Sequence, residues 1–241
     1  MVTPDQDRVA SLQRRHADAP AVDILAIALR QAFPGRIAVV SSFGAESAVL
    51  LHLVASIDLS TPVLFVDTGR HFPETLAYRD ALTARLGLRD VRSVGPSAAE
   101  IAVLDPDATR AAWDPDGCCA FRKVAPLARA LVQFDAWISG RKRFQATTRA
   151  GLPAFEIDGV HIKVNPLARW DAAELAAYAA AHDLPPHPLV ARGYLSIGCV
   201  PCTSPVTRDD DPRAGRWQGF DKTECGIHRP TANATANLTG K

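Results

Sequence analysis

The sequence predicts an α/β protein built on a doubly wound, mostly parallel sheet. Short apolar runs at 37–40, 63–66 and 136–138 have the length and character of strands that are buried on both faces. Helical stretches alternate with these runs along the chain, and this alternation is typical of a sheet covered by helices on both sides. With 241 residues, the chain is long enough to bury one large core.

The helices between the strands are predicted in chain order. An apolar stripe at 21–33 indicates a helix that packs on the core. After the second strand, Pro73 is a residue typical of the first turn of a helix. Residues 88–104 predict a further strand and helix, and the helical pattern that begins at Cys119 is interrupted early by Pro126.

The last regular elements are a hairpin and a helix. Segments 155–157 and 161–164 are separated by Asp158 and Gly159, a pair that favours a tight hairpin turn. Asp171 is expected to cap the alanine-rich helix that follows.

The chain changes character after Cys202. From there it carries proline, glycine and charge, without a sustained helical or strand period. We therefore predict an α/β domain at 1–202 and a flexible tail at 203–241.

Charge and composition exclude some classes of partner. The 27 basic and 26 acidic residues nearly balance, so no bulk attraction to nucleic acid or to an anionic membrane is expected. The N-terminus lacks the apolar core of a signal peptide, and no stretch reaches the length of a membrane span. We expect a cytoplasmic protein, in which cysteines stay reduced unless they bind metal or act in catalysis.

Four cysteines form two close pairs, Cys118 with Cys119 and Cys199 with Cys202. The spacing of the second pair lets two thiolates from one turn reach a single metal centre. Structural disulfides and plain buried thiols are the alternatives; the first conflicts with the expected compartment, and the second is unusual for two pairs. A metal site is favoured, and an all-thiolate set suits zinc and an iron–sulfur cluster equally well.

Small polar loops follow the first two strands. Ser42, Gly44 and Ser47 lie between a strand and a helix, an arrangement that points backbone N–H groups at an anion. An ordinary turn with a serine cap is the alternative. The segment 67–69 ends the second strand, where Asp67 could cap the next helix or hold a sugar hydroxyl.

A basic cluster follows the third strand, with Gly140, Arg141 and Arg149 as its candidate binding residues. Such clusters are usually solvated loops. At the carboxyl end of a buried parallel strand, however, this one would face the same crevice as the loop at Ser42.

The tail carries the fifth cysteine, Cys225, between Lys222 and His228. Nearby positive charge lowers the pKa of a thiol and favours the nucleophilic thiolate. An incidental surface thiol is the alternative. Arg213 and Arg216 lie earlier in the same segment and are candidates for binding phosphate or sulfate.

Taken together, these residues resemble the assimilatory sulfonucleotide reductases, specifically the thioredoxin-dependent adenylyl-sulfate reductases. The similarity extends from the loop at Ser41 to His228, over most of the chain. Its most specific marks are the two cysteine pairs and the tail sequence 224–228; the segments 42–46 and 65–69 resemble the family's nucleotide-binding segments. The resemblance implies a PP-loop-like fold, similar to the adenine nucleotide alpha hydrolases, and with the usual size of sheets it predicts five or six strands.

The resemblance also implies a cofactor and a mechanism. In the family the paired cysteines, here Cys118, Cys119, Cys199 and Cys202, hold a [4Fe-4S] cluster, so the resemblance selects the cluster over zinc. Cys225 would attack the sulfur of adenosine 5'-phosphosulfate (APS), expelling AMP and forming a cysteine S-sulfonate, and thioredoxin or a glutaredoxin-like dithiol would then release sulfite. This reaction belongs to sulfate assimilation and cysteine biosynthesis.

The family pattern assigns the remaining site residues. Lys123 would lie between cluster and substrate, and His228 would contact the substrate or favour the thiolate. The residues predicted to bind the substrate are Ser42, Phe43, Gly44, Glu46, Ser47, Asp67, Thr68, Gly69, Gly140, Arg141, Arg149, Arg213 and Arg216. Closure of the tail would bring Cys225 to the sulfur. The family forms dimers or tetramers, so a homodimer or homotetramer is expected.

Three rival functions stay open at the level of sequence. A reductase that prefers or also accepts 3'-phosphoadenylyl sulfate (PAPS) could place the extra phosphate on the basic stretch 141–143. An ATP-dependent adenylating or sulfur-transfer enzyme on the same fold should carry a Ser-Gly-Gly-x-Asp-Ser loop, which Phe43 and Glu46 break. In a non-enzymatic, metal-stabilised binding module, Cys225 would be dispensable.

Overall fold

The computed structural model of the chain describes residues 6–207 and 211–228. Six strands form one sheet in the order β3-β2-β1-β4-β6-β5. The strands are β1 Ile37–Ser41, β2 Val63–Val66, β3 Val91–Val94, β4 Ala136–Ile138, β5 Phe155–Asp158 and β6 His161–Val164. Every pairing is parallel except that of β5 with β6, the predicted hairpin. The predicted doubly wound α/β fold, its strand number and its mostly parallel sheet are confirmed.

Helices cover both faces of this sheet. The α-helices of the described residues are α1 Gln6–His16, α2 Ala21–Ile27, α3 Ser47–Ala55, α4 Pro73–Leu86, α5 Ala98–Leu104, α6 Pro115–Cys119, α7 Ala125–Leu131 and α8 Ala172–Ala181. A π-helical stretch, Ala28–Ala32, continues α2, and another, Ala120–Val124, joins α6 to α7 just before Pro126. No helix in the described ranges has both the length and the apolar character needed to cross a membrane.

The strands separate two apolar clusters because their side chains alternate between the faces. Val39 of β1 lies in the larger cluster with residues of α2, α3 and α4, whereas Ala38 and Val40 lie in the smaller one with residues of α7. Residues on both faces of β1 are therefore buried, which explains why the strand is a continuous apolar run in the sequence.

The strand order places a crevice between β1 and β4. From β1 the chain proceeds outward through β2 and β3, then returns to the other side of β1 to form β4. Loops that leave the carboxyl ends of β1 and β4 diverge at this switch point, which is where ligands bind in open α/β sheets.

Part of the predicted tail is docked on this domain. Thr203 and Arg216 form an antiparallel bridge within the tail, Arg216 Nε donates to the carbonyl of Cys202 in the domain at 3.2 Å, and Trp217 is buried at 4% exposure. Trp217 is a large aromatic side chain that anchors the segment, although the sequence there has no periodic apolar pattern. The boundary at Cys202 and the mobility of the tail stay predictions; residues 208–210 and 229–241 of the tail lie outside the described residues.

One helix was not anticipated from the sequence. Helix α1 is rich in charged residues, and Val9 is its buried residue. It attaches to the edge of the sheet, where the Gln13 side chain accepts a hydrogen bond from the Phe155 N–H at 2.9 Å.

Candidate active site

A cavity of about 650 Å³ opens at the carboxyl ends of β1 and β4. Its walls include the loop after β1, the segment 139–149 after β4, the segment 195–198, and the tail from Asp211 to His228, with Lys123 among the further lining residues. As predicted, the loops that follow these two strands face one crevice, and the tail covers it.

The loop after β1 contributes Ser42, Gly44, Glu46 and Ser47 to the cavity wall. Glu46 precedes α3, and no side chain caps the first turn of this helix, so a serine cap is not what shapes the loop.

Phe43, predicted to bind substrate, lies behind this wall. Its side chain is fully buried and packs edge-on against Phe65, with ring centroids 5.7 Å apart. The backbone of Phe43 has a φ of 49°, and its N–H donates to the Ser41 hydroxyl at 3.1 Å. A positive φ is uncommon outside glycine, and here it turns the loop so that the neighbouring residues face the cavity.

The segment after β4 supplies buried cations that already have acidic partners. Lys142 Nζ lies 2.6 Å from Glu46 Oε2, and Gln145 Nε2 donates to the same oxygen at 2.7 Å. Arg141 pairs with Glu156 of β5, and burial lowers the pKa of its guanidinium to about 10. These contacts hold both cations at the cavity wall in fixed positions.

The tail places Cys225 and His228 on the cavity wall. The His228 ring stacks on Trp137 of β4, with centroids 6.0 Å apart and planes 16° apart. Burial, followed by the charges of Arg141 and Lys163, lowers the pKa of His228 well below its usual value. The imidazole is therefore neutral near pH 7 and can accept or donate a hydrogen bond.

Arg213 and Arg216, also predicted to bind substrate, line the cavity from the tail. The Arg216 guanidinium lies over the Trp217 ring at 4.4 Å, and its Nε donates to the Cys202 carbonyl at 3.2 Å. Arg213 Nη2 donates to the Thr223 carbonyl at 2.8 Å. Arg213 thus depends on the tail's own folded form for its position, whereas Arg216 is also held by the Cys202 carbonyl of the domain.

Lys123 reaches the cavity from the π-helical stretch between α6 and α7. Burial alone would lower the pKa of this amine, but the charges of Cys199, Cys225 and Cys119 outweigh burial and raise it. Lys123 therefore stays protonated and presents its charge to the thiol of Cys225.

The thiol of Cys225 lies in a strongly cationic setting. A hydrogen bond from Cys119 lowers its pKa well below the usual value, burial opposes this, and Lys123 and Arg216 lower it further. If Cys119 binds a metal, its sulfur carries no proton to donate, and the two cations and the Ile227 N–H then stabilise the thiolate.

The two cysteine pairs pack side by side. Cys118 lies in a small apolar cluster with Ala111 and Phe121, and Cys202 packs against it. Burial and then the charge of Cys199 raise the pKa of the Cys118 thiol. The segments that carry the two predicted pairs are therefore adjacent, although they are 80 positions apart in the chain.

The thiol donor set fits a soft metal centre in its chemistry. Four thiols occur in two adjacent segments, and the positive charge of Lys123 lies close enough to balance an anionic centre. Within residues 6–207 and 211–228, however, no three His, Cys, Asp or Glu side chains converge on one point as a metal-binding group.

The segment after β2 faces the cysteines. Thr68 is fully buried, and its hydroxyl lies 3.2 Å from Cys199 Sγ. Asp67 Oδ1 accepts the Gly69 N–H at 3.0 Å, which closes a local turn. None of these three residues is among those that line the described cavity, so their contact with substrate stays a prediction.

Sequence reasoning missed several polar contacts of the site. Glu224 forms a two-pronged ion pair with Arg149, and Gln145 bridges Arg149 to Glu46. The position of Glu224 directly before Cys225 was the only signal in the sequence, because these partners lie far apart along the chain.

Comparison with known proteins agrees with this site. A model of the phosphoadenosine phosphosulfate reductase domain matches residues 36–205. An adenosine 5'-phosphosulfate reductase of Mesorhizobium japonicum is 52% identical over 221 residues, which cover 92% of this chain and 87% of the relative. A phosphoadenosine 5'-phosphosulfate reductase of Gloeobacter violaceus is 41% identical over 230 residues, 93% of this chain and 95% of that one.

The fold is likewise shared with a solved member of this group. The crystal structure of phosphoadenylyl-sulfate reductase from Candida auris, a phosphate complex, matches with a TM-score of 0.72 and 26% identity. The match covers 84% of this chain and 99% of that chain. The chain therefore belongs to the phosphoadenosine phosphosulfate reductase family, the sulfonucleotide reductases that its motifs predicted.

Proposed function

We propose that the protein reduces APS to sulfite and AMP in sulfate assimilation, through a cysteine S-sulfonate on Cys225. The observation that carries this proposal is the position of Cys225 at the switch-point cavity, where the charges of Lys123 and Arg216 act on its thiol. Relatives named adenosine 5'-phosphosulfate reductase, at 52% and 56% identity, support the choice of substrate.

In the first step, the Cys225 thiolate attacks the sulfur of APS. A bond forms between Cys225 Sγ and the sulfate sulfur, the bond from that sulfur to the bridging oxygen breaks, and AMP leaves with the electron pair. Lys123 and Arg216 would stabilise the thiolate before attack, and guanidinium groups would bind the phosphate and sulfate oxygens. Ser42, Gly44 and Ser47 would cradle the nucleotide.

In the second step, a dithiol donor supplies two electrons. One thiolate of thioredoxin attacks Cys225 Sγ and expels sulfite, and the second resolves the mixed disulfide and returns Cys225 as a thiol. A donor protein must reach Cys225, so this step requires the tail to leave the cavity.

The same proposal includes a [4Fe-4S] cluster held by the cysteine pairs, Cys118 with Cys119 and Cys199 with Cys202. The thiol chemistry and the adjacency of the two segments support it, together with the family resemblance. When bound, the cluster would supply negative charge opposite Lys123. Iron and acid-labile sulfide measured per chain, with Cys202→Ala as the comparison, test this part independently of activity.

The contacts of the basic stretch 141–143 favour APS over PAPS. Arg141 is paired with Glu156 and Lys142 with Glu46, while Arg143 Nε donates to the Leu152 carbonyl at 3.0 Å. An additional 3'-phosphate would have to displace these partners. The relative named phosphoadenosine 5'-phosphosulfate reductase supports the rival substrate, so both nucleotides belong in the test.

The test is sulfite release by anaerobically purified protein with thioredoxin and a reductant for thioredoxin. We expect rapid release from APS, little from PAPS, and none from Cys225→Ser. Equal or faster sulfite release from PAPS would leave the mechanism unchanged but would make the enzyme a PAPS reductase or one that accepts both nucleotides. No release from either nucleotide by protein that holds its cluster would refute the reductase proposal and leave the ATP-dependent enzyme as the next candidate.

Location and assembly complete the proposal. We place the protein in the cytoplasm, where thioredoxin keeps thiols reduced, because the chemistry needs a reduced dithiol donor. A homodimer or homotetramer is expected from the family, and light scattering of the purified chain tests it.

A further inference from the structure

Glu224, the residue directly before Cys225, is held by two bonds from one guanidinium group. Arg149 Nε lies 2.6 Å from Glu224 Oε1, and Arg149 Nη2 lies 2.7 Å from Oε2. We call this pair, Arg149 and Glu224, the tail latch. Parallel N–H···O bonds of this kind fix direction as well as distance, because both groups are planar.

All three guanidinium nitrogens of Arg149 donate hydrogen bonds. Its remaining nitrogen, Nη1, donates to the Gln145 side chain, which also binds Glu46. Each guanidinium nitrogen of Arg149 therefore has a protein partner while the tail is docked. The group that sequence reasoning assigned to substrate is thus engaged by the tail itself.

The latch is buried, so its two charges depend on each other. The side chains of Arg149 and Glu224 are 7% and 14% exposed. Arg213 Nη2 lies 3.7 Å from Glu224 Oε2 and adds positive charge on the tail side. Removing either latch partner would leave the other charged group buried beside the cavity, a state that favours undocking of the segment.

The segment after the latch packs closely on the domain. A Cβ atom added to Gly226 would lie 3.0 Å from Val124 Cγ2, so the backbone here touches the π-helical stretch. Ile227 packs on the apolar cluster that contains Trp137. Cys225 is thereby held between an electrostatic contact on one side and an apolar contact on the other.

We propose that the tail latch is a positioning device for the reaction: the Arg149–Glu224 pair holds the Cys225 segment in the cavity, and Arg149 acts on the tail rather than on the substrate. The inference rests on the proposed function, since it takes Cys225 as the nucleophile. It gives Glu224 a role and assigns Arg149 a function different from that predicted.

The first test measures how fast a neutral reagent, iodoacetamide, alkylates Cys225 in the anaerobically purified full chain. Mass spectrometry of the tail peptide reports the rate for wild type, Glu224→Gln, Arg149→Gln and the double variant. We expect each single variant to react at least about tenfold faster, and the double variant no faster than the singles, because all three lose the same contact. Glu74→Gln, which breaks an exposed ion pair with Arg192, is the control and should match wild type.

The two single variants change the local charge in opposite directions. Loss of the Glu224 carboxylate favours the Cys225 thiolate, whereas loss of the Arg149 cation disfavours it. Faster alkylation of Cys225 in both variants therefore indicates that the tail has undocked. Faster alkylation in Glu224→Gln together with slower alkylation in Arg149→Gln would refute the latch, because local charge on the Cys225 thiolate would then explain both results.

Kinetics with APS supply a second, separate reading. A positioning role predicts that both single variants lose kcat by a similar factor, with Glu224→Asp recovering part of the loss. A rise in KM confined to Arg149→Gln, with alkylation unchanged, would make Arg149 a substrate ligand and refute the proposal. If neither the wild type nor any variant released sulfite, while Cys225 in the latch variants was alkylated faster as expected, the proposed function would be refuted and the latch would be retained.

Discussion

At the scale of single residues, Lys123 and Lys163 show two opposite fates of a buried cation. The thiols around Lys123 outweigh its burial and keep its pKa high, so its charge is available to the site. Lys163 lies over the Trp137 ring at 4.5 Å and 3.1 Å from Asp158, yet burial lowers its pKa to about 8. Lys123 therefore keeps its charge beside the cavity, whereas burial of Lys163 disfavours its charged form.

Replacement of Lys123 by Gln should slow the first chemical step. We expect the rate of S-sulfonate formation on Cys225 to fall by about 10²-fold, because a preorganised charge beside the nucleophile is lost. Single-turnover mass spectrometry of the tail peptide measures this rate without thioredoxin. Lys123→Arg, which keeps the charge, should recover part of the rate; a Gln variant within twofold of wild type contradicts the role.

The buried Lys163 predicts a pH dependence of stability. Its pKa is about 8 in the folded protein and 10.5 ordinarily, so between these values the unfolded state binds more protons. The free energy of unfolding should therefore rise with pH across this window, by about 1–2 kcal/mol relative to Lys163→Met. Urea unfolding of both proteins at several pH values measures the difference; a difference that falls with pH would show that the folded pKa is raised instead.

At the scale of elements, one continuous helical unit connects the cysteine pair to the site lysine. Helix α6 ends at Cys119, the π-helical stretch carries Lys123, and α7 continues it behind the sheet. Asp114 begins this unit by accepting the Gly117 N–H at 2.8 Å, and Arg110 pairs with the same carboxylate. The orientation of the thiols thus depends on a cap at the start of the unit.

Replacement of Asp114 by Ala should loosen this unit at its start. We expect the free energy of unfolding to fall by about 1 kcal/mol, as is usual for loss of an N-cap. Asp171→Ala removes the same kind of cap from α8, where Asp171 accepts the Glu174 N–H at 2.8 Å. Both should lower the urea midpoint alike, but only Asp114→Ala should raise alkylation of Cys118. Equal alkylation of Cys118 in the two variants would show that the Asp114 cap does not control the exposure of this cysteine.

At the scale of the whole molecule, the tail completes a site that the domain begins. The domain supplies Lys123 and the loops after β1 and β4, and the tail supplies Cys225, the proposed nucleophile, and two arginines. Trp217 is the largest buried group of the tail, with the Arg216 guanidinium over its ring. We therefore expect the free energy of tail docking to differ from the free energy of unfolding of the sheet.

Replacement of Trp217 by Ala should release the tail without unfolding the sheet. We expect backbone amides of residues 211–228 to exchange hydrogen at least about tenfold faster, while the amides of β1 and β4 keep their protection. Trp137→Ala, in the central strand β4, should instead lower global stability by about 3–5 kcal/mol. If Trp217→Ala accelerates hydrogen exchange in the sheet as much as in the tail, then the tail does not undock independently of the sheet.

The sequence predicted the sheet better than the site. Strands such as β1 are buried on both faces, so their apolar runs are visible locally. The family pattern placed Phe43 among the binding residues, but its backbone has a positive φ and its ring is buried in the core. The Arg149–Glu224 pair joins residues 75 positions apart, and no local period records such a contact.

The order of the site residues along the chain has a consequence for biosynthesis. Residues of the sheet and both cysteine pairs precede Cys225, so a ribosome adds them to the chain before it adds this cysteine. A nascent chain can therefore fold its domain while it still lacks Cys225, the proposed nucleophile. Until Cys225 is added, such a chain cannot carry out the proposed first step.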